Sequence, residues 1–262
     1  ITNKSTTSHS ITEFNPNMHP FNWRGWWEYG TGALGEIGCH IMDVPIKALG
    51  LFEPFSVEAS VSNLPYAKAF TPSPLIEEAC PSSSYVTYRF KPSEINDSEV
   101  EMVWMDGGIR PSHPDIITDK DDIGENGVLM IGENGLIWSD NYGVKARLYI
   151  KGQEGVVEKG KVSEINSAEF GHQNHWIDAI KDGYGSDKHR NLTSNFDFAG
   201  PLSEVVLLGN VAIRSNYIRR SPRSNVFIGK KRLMYDSKKM EITNLDQANQ
   251  FLTREYREGW KI

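Results

Sequence analysis

Cysteine is scarce in this 262-residue chain, with Cys39 and Cys80 the only two. They form no Cys-x-x-Cys pair, and a chain this long needs no staple, so two free thiols are expected rather than a zinc knuckle or a disulfide scaffold. Positive charge is also short. Acidic residues outnumber Lys and Arg by 34 to 28, and the net charge of −6 leaves nothing to offset a phosphate backbone, so nucleic acid is not an expected partner. No apolar run reads as long enough to span a bilayer and no signal-peptide series occurs, so no membrane partner is expected. Internal repeats and low-complexity tracts are missing as well. The first residue is Ile1 rather than Met, which reads as a fragment or a processed chain.

What is present suits a soluble globular protein of one large domain with a short extension. Residues 1–20 are polar, rich in Ser, Thr, Asn and Pro, and lack a period, as expected of a surface arm or linker. An aromatic knot follows, Phe21, Trp23, Trp26, Trp27 and Tyr29, then the turn Gly30-Thr31-Gly32. A helix is predicted from about Ala33, with Pro45 kinking or ending it. Beyond Glu53 the period becomes two: Phe55, Val57, Ala59 and Val61 alternate with Ser56, Glu58, Ser60 and Ser62. Similar strands are predicted over 84–90, 99–105 and 146–150. Two more, 128–131 and 136–139, flank the hairpin signal Gly132-Glu133-Asn134-Gly135. A late strand pair is expected at 225–228 and 232–235. Helices are expected over 169–181, from near Pro201 to Ser215, and over 245–257 with Asn244 as cap. Hairpin-linked strands without βα alternation indicate an α+β domain with a mostly antiparallel sheet.

Four segments could carry chemistry. Gly30-Thr31-Gly32-Ala33-Leu34-Gly35 matches G-x-G-x-x-G, yet Trp23-Arg24-Gly25-Trp26-Trp27-Glu28-Tyr29 before it is a poor buried strand, so the turn reads as a tight helix entry. In the following helix Glu36, His40 and Asp43 stand at i, i+4 and i+7 and share a stripe. Leu34, Ile37, Ile41, Val44 and Ala48 form another face expected to pack on the sheet. The stripe could exchange a hydroxyl proton and orient the base doing so; the alternative is a solvated polar face. The tryptophans beside Arg24 could stack on sugar rings or serve as core, with at least one of Trp26 and Trp27 expected inside. His172 and His175 could supply two metal ligands, but Trp176, Ile177 and Ile180 make that helix look like packing, and no metal is expected.

The knot Phe21-Asn22-Trp23-Arg24-Gly25-Trp26-Trp27 and the run from Gly30 to Asp43 resemble the C-terminal domain of bacterial-type Gfo/Idh/MocA oxidoreductases, the glucose–fructose oxidoreductase and inositol dehydrogenase family. Further likeness covers Trp104 to Pro111, Gly171 to Gly183, Phe196 to Arg214 and Ile242 to Trp260, nearly everything from Pro20 onward. The resemblance implies a large open sheet with helices on one face, similar to the C-terminal domains of dihydrodipicolinate reductase and glyceraldehyde-3-phosphate dehydrogenase. It also implies a parent with an N-terminal Rossmann domain binding NAD or NADP, and homo-oligomers formed through the sheet. In the family an Asp-x-x-x-His motif sits near the reacting carbon. His40 falls on that histidine and Glu36, one methylene longer, on the aspartate. The family's catalytic lysine belongs to a Glu-Lys-Pro motif of the Rossmann domain, and no such triplet occurs here.

By that resemblance the parent oxidises a sugar or polyol CH–OH. His40 exchanges the hydroxyl proton, Glu36 holds His40 or a neighbouring hydroxyl, and Trp23, Arg24 and Trp27 line the pocket, with Asp43 a substrate contact or an orienter. Residues 21–262 would be the substrate-binding and oligomerisation domain, inactive alone and holding no cofactor by itself. The alternatives are a non-catalytic binding or dimerisation module, or an NAD-using glycosidase or lyase on the same fold.

Overall fold

A computed structural model describes residues 21–62, 77–118, 123–254 and 256–260, so the arm expected at 1–20 lies outside the described residues. After a 3-10 turn at Asn22–Gly25 come α1 (Gly32–Ile41), α2 (Asp43–Leu49), β1 (Pro54–Val61), β2 (Ser84–Phe90) and β3 (Val100–Met105). A second group follows, β4 (Val128–Ile131), β5 (Gly135–Ser139), β6 (Arg147–Ile150) and β7 (Glu158–Lys159). Next come α3 (Glu164–Ser167), α4 (Gly171–Asp182), α5 (Asp187–Arg190), α6 (Phe196–Ser215), β8 (Leu233–Asp236), β9 (Glu241–Ile242) and a 3-10 turn at Asp246–Phe251. The fold is α+β and every paired strand is antiparallel. The strands divide between a five-stranded sheet, ordered β3-β2-β1-β8-β9, and a four-stranded one, ordered β4-β5-β6-β7.

The period of two sets the register of the larger sheet. Val57 lies opposite Tyr88 and Leu233, and Val86 opposite Trp104, so the apolar positions share one face. That face is covered by α6, the most enclosed helix, in which Val205, Leu208, Ala212 and Ile213 are almost fully buried. Asn195 caps α6 by accepting from the Phe198 backbone N–H. Pro201 sits inside α6, not at its entry, because the cap lies upstream of the proline. By length and composition α6 could cross a membrane, contrary to the sequence reading, but here it is the core helix of the larger sheet.

Across α6 lies α1, and the contact is too close for side chains at two glycines. A Cβ on Gly38 would come within 2.9 Å of Val206, and one on Gly209 within 2.4 Å of Leu34. The inner face of α1–α2 is therefore Leu34, Gly38, Met42, Pro45 and Ile46, packed chiefly on α6. This corrects the face expected from hydropathy: Ile37 and Ala48 are exposed, because close packing selected glycine over isoleucine. The helix breaks at Met42, one turn before Pro45, whose missing N–H leaves the Ile41 carbonyl without its helical donor.

Two further expectations fail. Residues 225–228 form no strand, since Phe227 makes a single bridge to Arg219, and β8 instead pairs with β1 and β9. The helix expected over 245–257 is only the short 3-10 turn. Asn244 does not cap it; its side chain accepts from Met234 N and donates to the Arg232 carbonyl, tying down β8. The smaller sheet has its own core of Ile117, Leu136, Trp138 and Tyr149. Its β5–β6 loop reaches α1–α2, where Gly143 meets Val44. Cys39 and Cys80 are both free thiols.

Candidate functional site

The aromatic knot is anchored by backbone pairing to residues 78–80. Cys80 N donates to the Gly25 carbonyl at 2.7 Å and Trp27 N to the Glu78 carbonyl at 2.9 Å. The chain then turns sharply into α1. Gly30 lies against the Arg24 backbone, where a Cβ would sit 2.4 Å from the Arg24 carbonyl oxygen, and Gly32 adopts φ +67°. A 3-10 turn and one antiparallel bridge, Trp26 to Ala79, precede this glycine run. No described strand pair is parallel, so the run lacks the strand–helix–strand unit that a dinucleotide turn requires.

This route returns Arg24 to the open face of α1, where its Nη1 pairs with Glu36 Oε1 at 2.6 Å. Both side chains are about one-third exposed, at 34% and 32%. Arg24 also stacks over Phe21, 4.2 Å from the ring centroid, and Trp23 lies exposed beside it in sequence. His40 is exposed on the last turn of α1. Its ring meets the edge of Tyr142 from the β5–β6 loop, with centroids 5.8 Å apart and planes at 84°. Asp43 opens α2 and is partly buried, and its Oδ1 has no hydrogen-bond partner among the described residues. Burial raises the Asp43 pKa above the usual carboxylate value, and the Lys47 charge opposes the rise.

The structure thus joins Arg24 to Glu36 and leaves His40 without a carboxylate hydrogen bond among the described residues. Glu36 was expected to hold His40 or a neighbouring hydroxyl; in the structure its Oε1 pairs with Arg24. Asp43 belongs to a separate helix, so the i, i+4, i+7 stripe is broken at Met42. Trp27 is turned inward, packing against the core, with its buried Nε1 unpartnered and the Arg214 guanidinium 5.4 Å from its ring. Sequence reading missed Tyr142, which lies a hundred residues from His40 in a loop and leaves no local signal. His172 and His175 share α4, but no group of three or more metal-capable side chains occurs among the described residues.

A cleft of about 1100 Å³ opens elsewhere, between Trp26–Thr31, the outer stripe of α6 and the segment after its C-terminal turn. Trp27 lines it, whereas Arg24, Glu36, His40 and Asp43 do not. No protein-family model matches the chain, and no curated protein matches it.

Proposed function

We propose that this chain is the substrate-side domain of an oxidoreductase acting on a sugar or polyol CH–OH group. One observation carries the reading: the turn at Gly30 and Gly32 brings the Arg24–Glu36 ion pair onto the open face of α1 that also bears His40. An imidazole can take a hydroxyl proton, and an arginine–carboxylate fork binds neighbouring hydroxyls in fixed geometry. Asp43, at the start of α2, adds a carboxylate oxygen without a partner among the described residues, which a bound hydroxyl would satisfy. The Gly30–Gly35 run lacks a strand–helix–strand unit, so in this reading the hydride chemistry would come from a nicotinamide held by a separate domain. The work of this chain is binding, orientation and movement of the hydroxyl proton.

The larger sheet supports a second role. Its outer face exposes Tyr85 and Met234 beside the Arg89–Glu101 and Arg232–Glu58 pairs, a mixed surface suited to a second copy of the chain. Light scattering should show an oligomer, and a monomer at high concentration would count against that role.

Calorimetric titration tests the domain assignment: NAD(H) and NADP(H) should not bind, and clear binding would overturn it. Saturation-transfer NMR with myo-inositol and glucose tests the site itself. Signals that weaken in Glu36→Gln and His40→Ala support it. Absent signals, or signals indifferent to both changes, remove the α1 face as a polyol site.

A further inference from the structure

Trp27 apart, the cleft beside α6 is built from features the His40 reading does not use. Along α6, Glu204, Leu207, Val211 and Arg214 recur at helical spacing and all line it. Leu207 is 45% exposed on the helix whose opposite face forms the centre of the core. Facing this stripe is the turn bearing Tyr29, 46% exposed, while Phe251 and Arg254 lie beyond.

Arg214 is the unusual member. It is partly buried, and burial lowers its pKa, with the neighbouring Arg254 charge acting in the same direction and Cys80 against it. The guanidinium lies over Phe251 at 4.4 Å and Trp27 at 5.4 Å, yet it has no carboxylate partner among the described residues. Such a group is costly to hold without acceptors. Across the stripe, Tyr235 Oη donates to Glu204 Oε1 at 2.7 Å, which fixes that carboxylate and leaves Oε2 without a partner among the described residues.

We infer that this cleft is a second binding site, for a neutral polyhydroxylated ring ligand such as an oligosaccharide. Flat aromatic rings take the C–H faces of such a ligand, while Arg214 donates to its hydroxyls and Glu204 accepts from them. Charge decides against an anionic ligand: with Glu77 paired to Arg219, Glu28, Glu78 and Glu204 still outnumber Arg214 and Arg254 around the rim. A purely apolar ligand would bury Arg214 and Glu204 without acceptors or donors. The volume exceeds the range common for compact ligands, roughly 300–1000 Å³, so more than one ring fits. The site does not rest on the His40 reading, because the α1 residues of that reading do not line it.

The test uses the 262-residue chain, tryptophan fluorescence and calorimetry, with cellobiose and maltose as neutral probes and glucuronate as the charged one. A neutral disaccharide should bind and perturb tryptophan emission. Arg214→Lys and Tyr29→Ala should each weaken it about tenfold or more, as loss of a hydrogen-bonding fork or a stacking ring predicts. His40→Ala should leave this binding unchanged. Tyr29 is exposed, so its truncation should not disturb folding, and Leu207→Trp, which fills the cleft from an exposed position, should abolish binding. The inference is overturned if neither disaccharide binds, if glucuronate binds in preference, or if the cleft variants bind normally. Binding lost only in His40→Ala would leave the α1 site standing and remove this one.

Discussion

Replacing Tyr88 by phenylalanine should stabilise the protein. Tyr88 is fully buried on β2, facing α6, and its hydroxyl abuts the Gly209 backbone without a hydrogen bond of acceptable geometry. Its pKa is driven far above that of an ordinary tyrosine by burial, and the nearby Gly209 backbone N–H opposes the rise. A buried polar group left unsatisfied costs about 1–3 kcal/mol, whereas removing one oxygen forfeits only a few dispersion contacts of roughly 0.1–0.2 kcal/mol each. The net gain is then about 1 kcal/mol, or roughly 2–4 °C in Tm for a domain of this size. Urea unfolding followed by tryptophan fluorescence should show a higher midpoint with an unchanged slope. Gly209→Ala is the companion, since its Cβ would lie 2.0 Å from the Tyr88 hydroxyl oxygen. Alone it should destabilise by about 1–3 kcal/mol despite alanine's helix propensity, and Tyr88→Phe should recover part of that loss. A midpoint that falls in Tyr88→Phe would show that the hydroxyl is hydrogen-bonded in solution and refute the reasoning.

Asp106 accepts from Ser84 N, from Ser84 Oγ at 2.8 Å and from Trp104 Nε1 at 2.7 Å, so Asp106→Ala should cost roughly 2–4 kcal/mol in urea unfolding. Burial pushes the Cys80 thiol up to about 12, while Cys39 is exposed. Iodoacetamide at pH 8 should therefore label Cys39 and spare Cys80, and mass spectrometry of the labelled peptides checks this. Because the folded pKa of Cys80 lies above its unfolded value, the folded state holds this proton longer. Stability should therefore fall as pH rises from about 9 towards 12, and Cys80→Ser should flatten that fall. When the chain is joined to a dinucleotide-binding domain, His40→Ala should lower turnover by about 10²–10⁴ while leaving NAD affinity nearly unchanged. Equal losses in turnover and affinity would remove His40 as the proton-transfer residue.

Local pattern was enough where one face of an element meets one kind of neighbour. The span of β2 follows directly from alternation between Ser84 and Phe90, and the β4–β5 hairpin from Gly132-Glu133-Asn134-Gly135. Asp182-Gly183 marks the end of α4, where Gly183 takes φ +92°. Pattern failed where a residue answers to a distant partner. The α1 face was misread because Gly38 is buried for its lack of a side chain against Val206, a contact that hydropathy does not score. The segment 225–228 looked like a strand, but β8 found a better partner in β1, far back in the chain.

The amino-acid sequence alone determined the α+β class, the main strands of the antiparallel sheet and which residues could bear chemistry, because periodicity and turn residues act over a few positions. Only the tertiary structure decided how those residues are partnered. Glu36 is paired with Arg24, Tyr142 arrives from the smaller sheet, and Arg214 lies over two aromatic rings without an acid among the described residues. Each of these depends on side chains converging across gaps in sequence that no local period can encode.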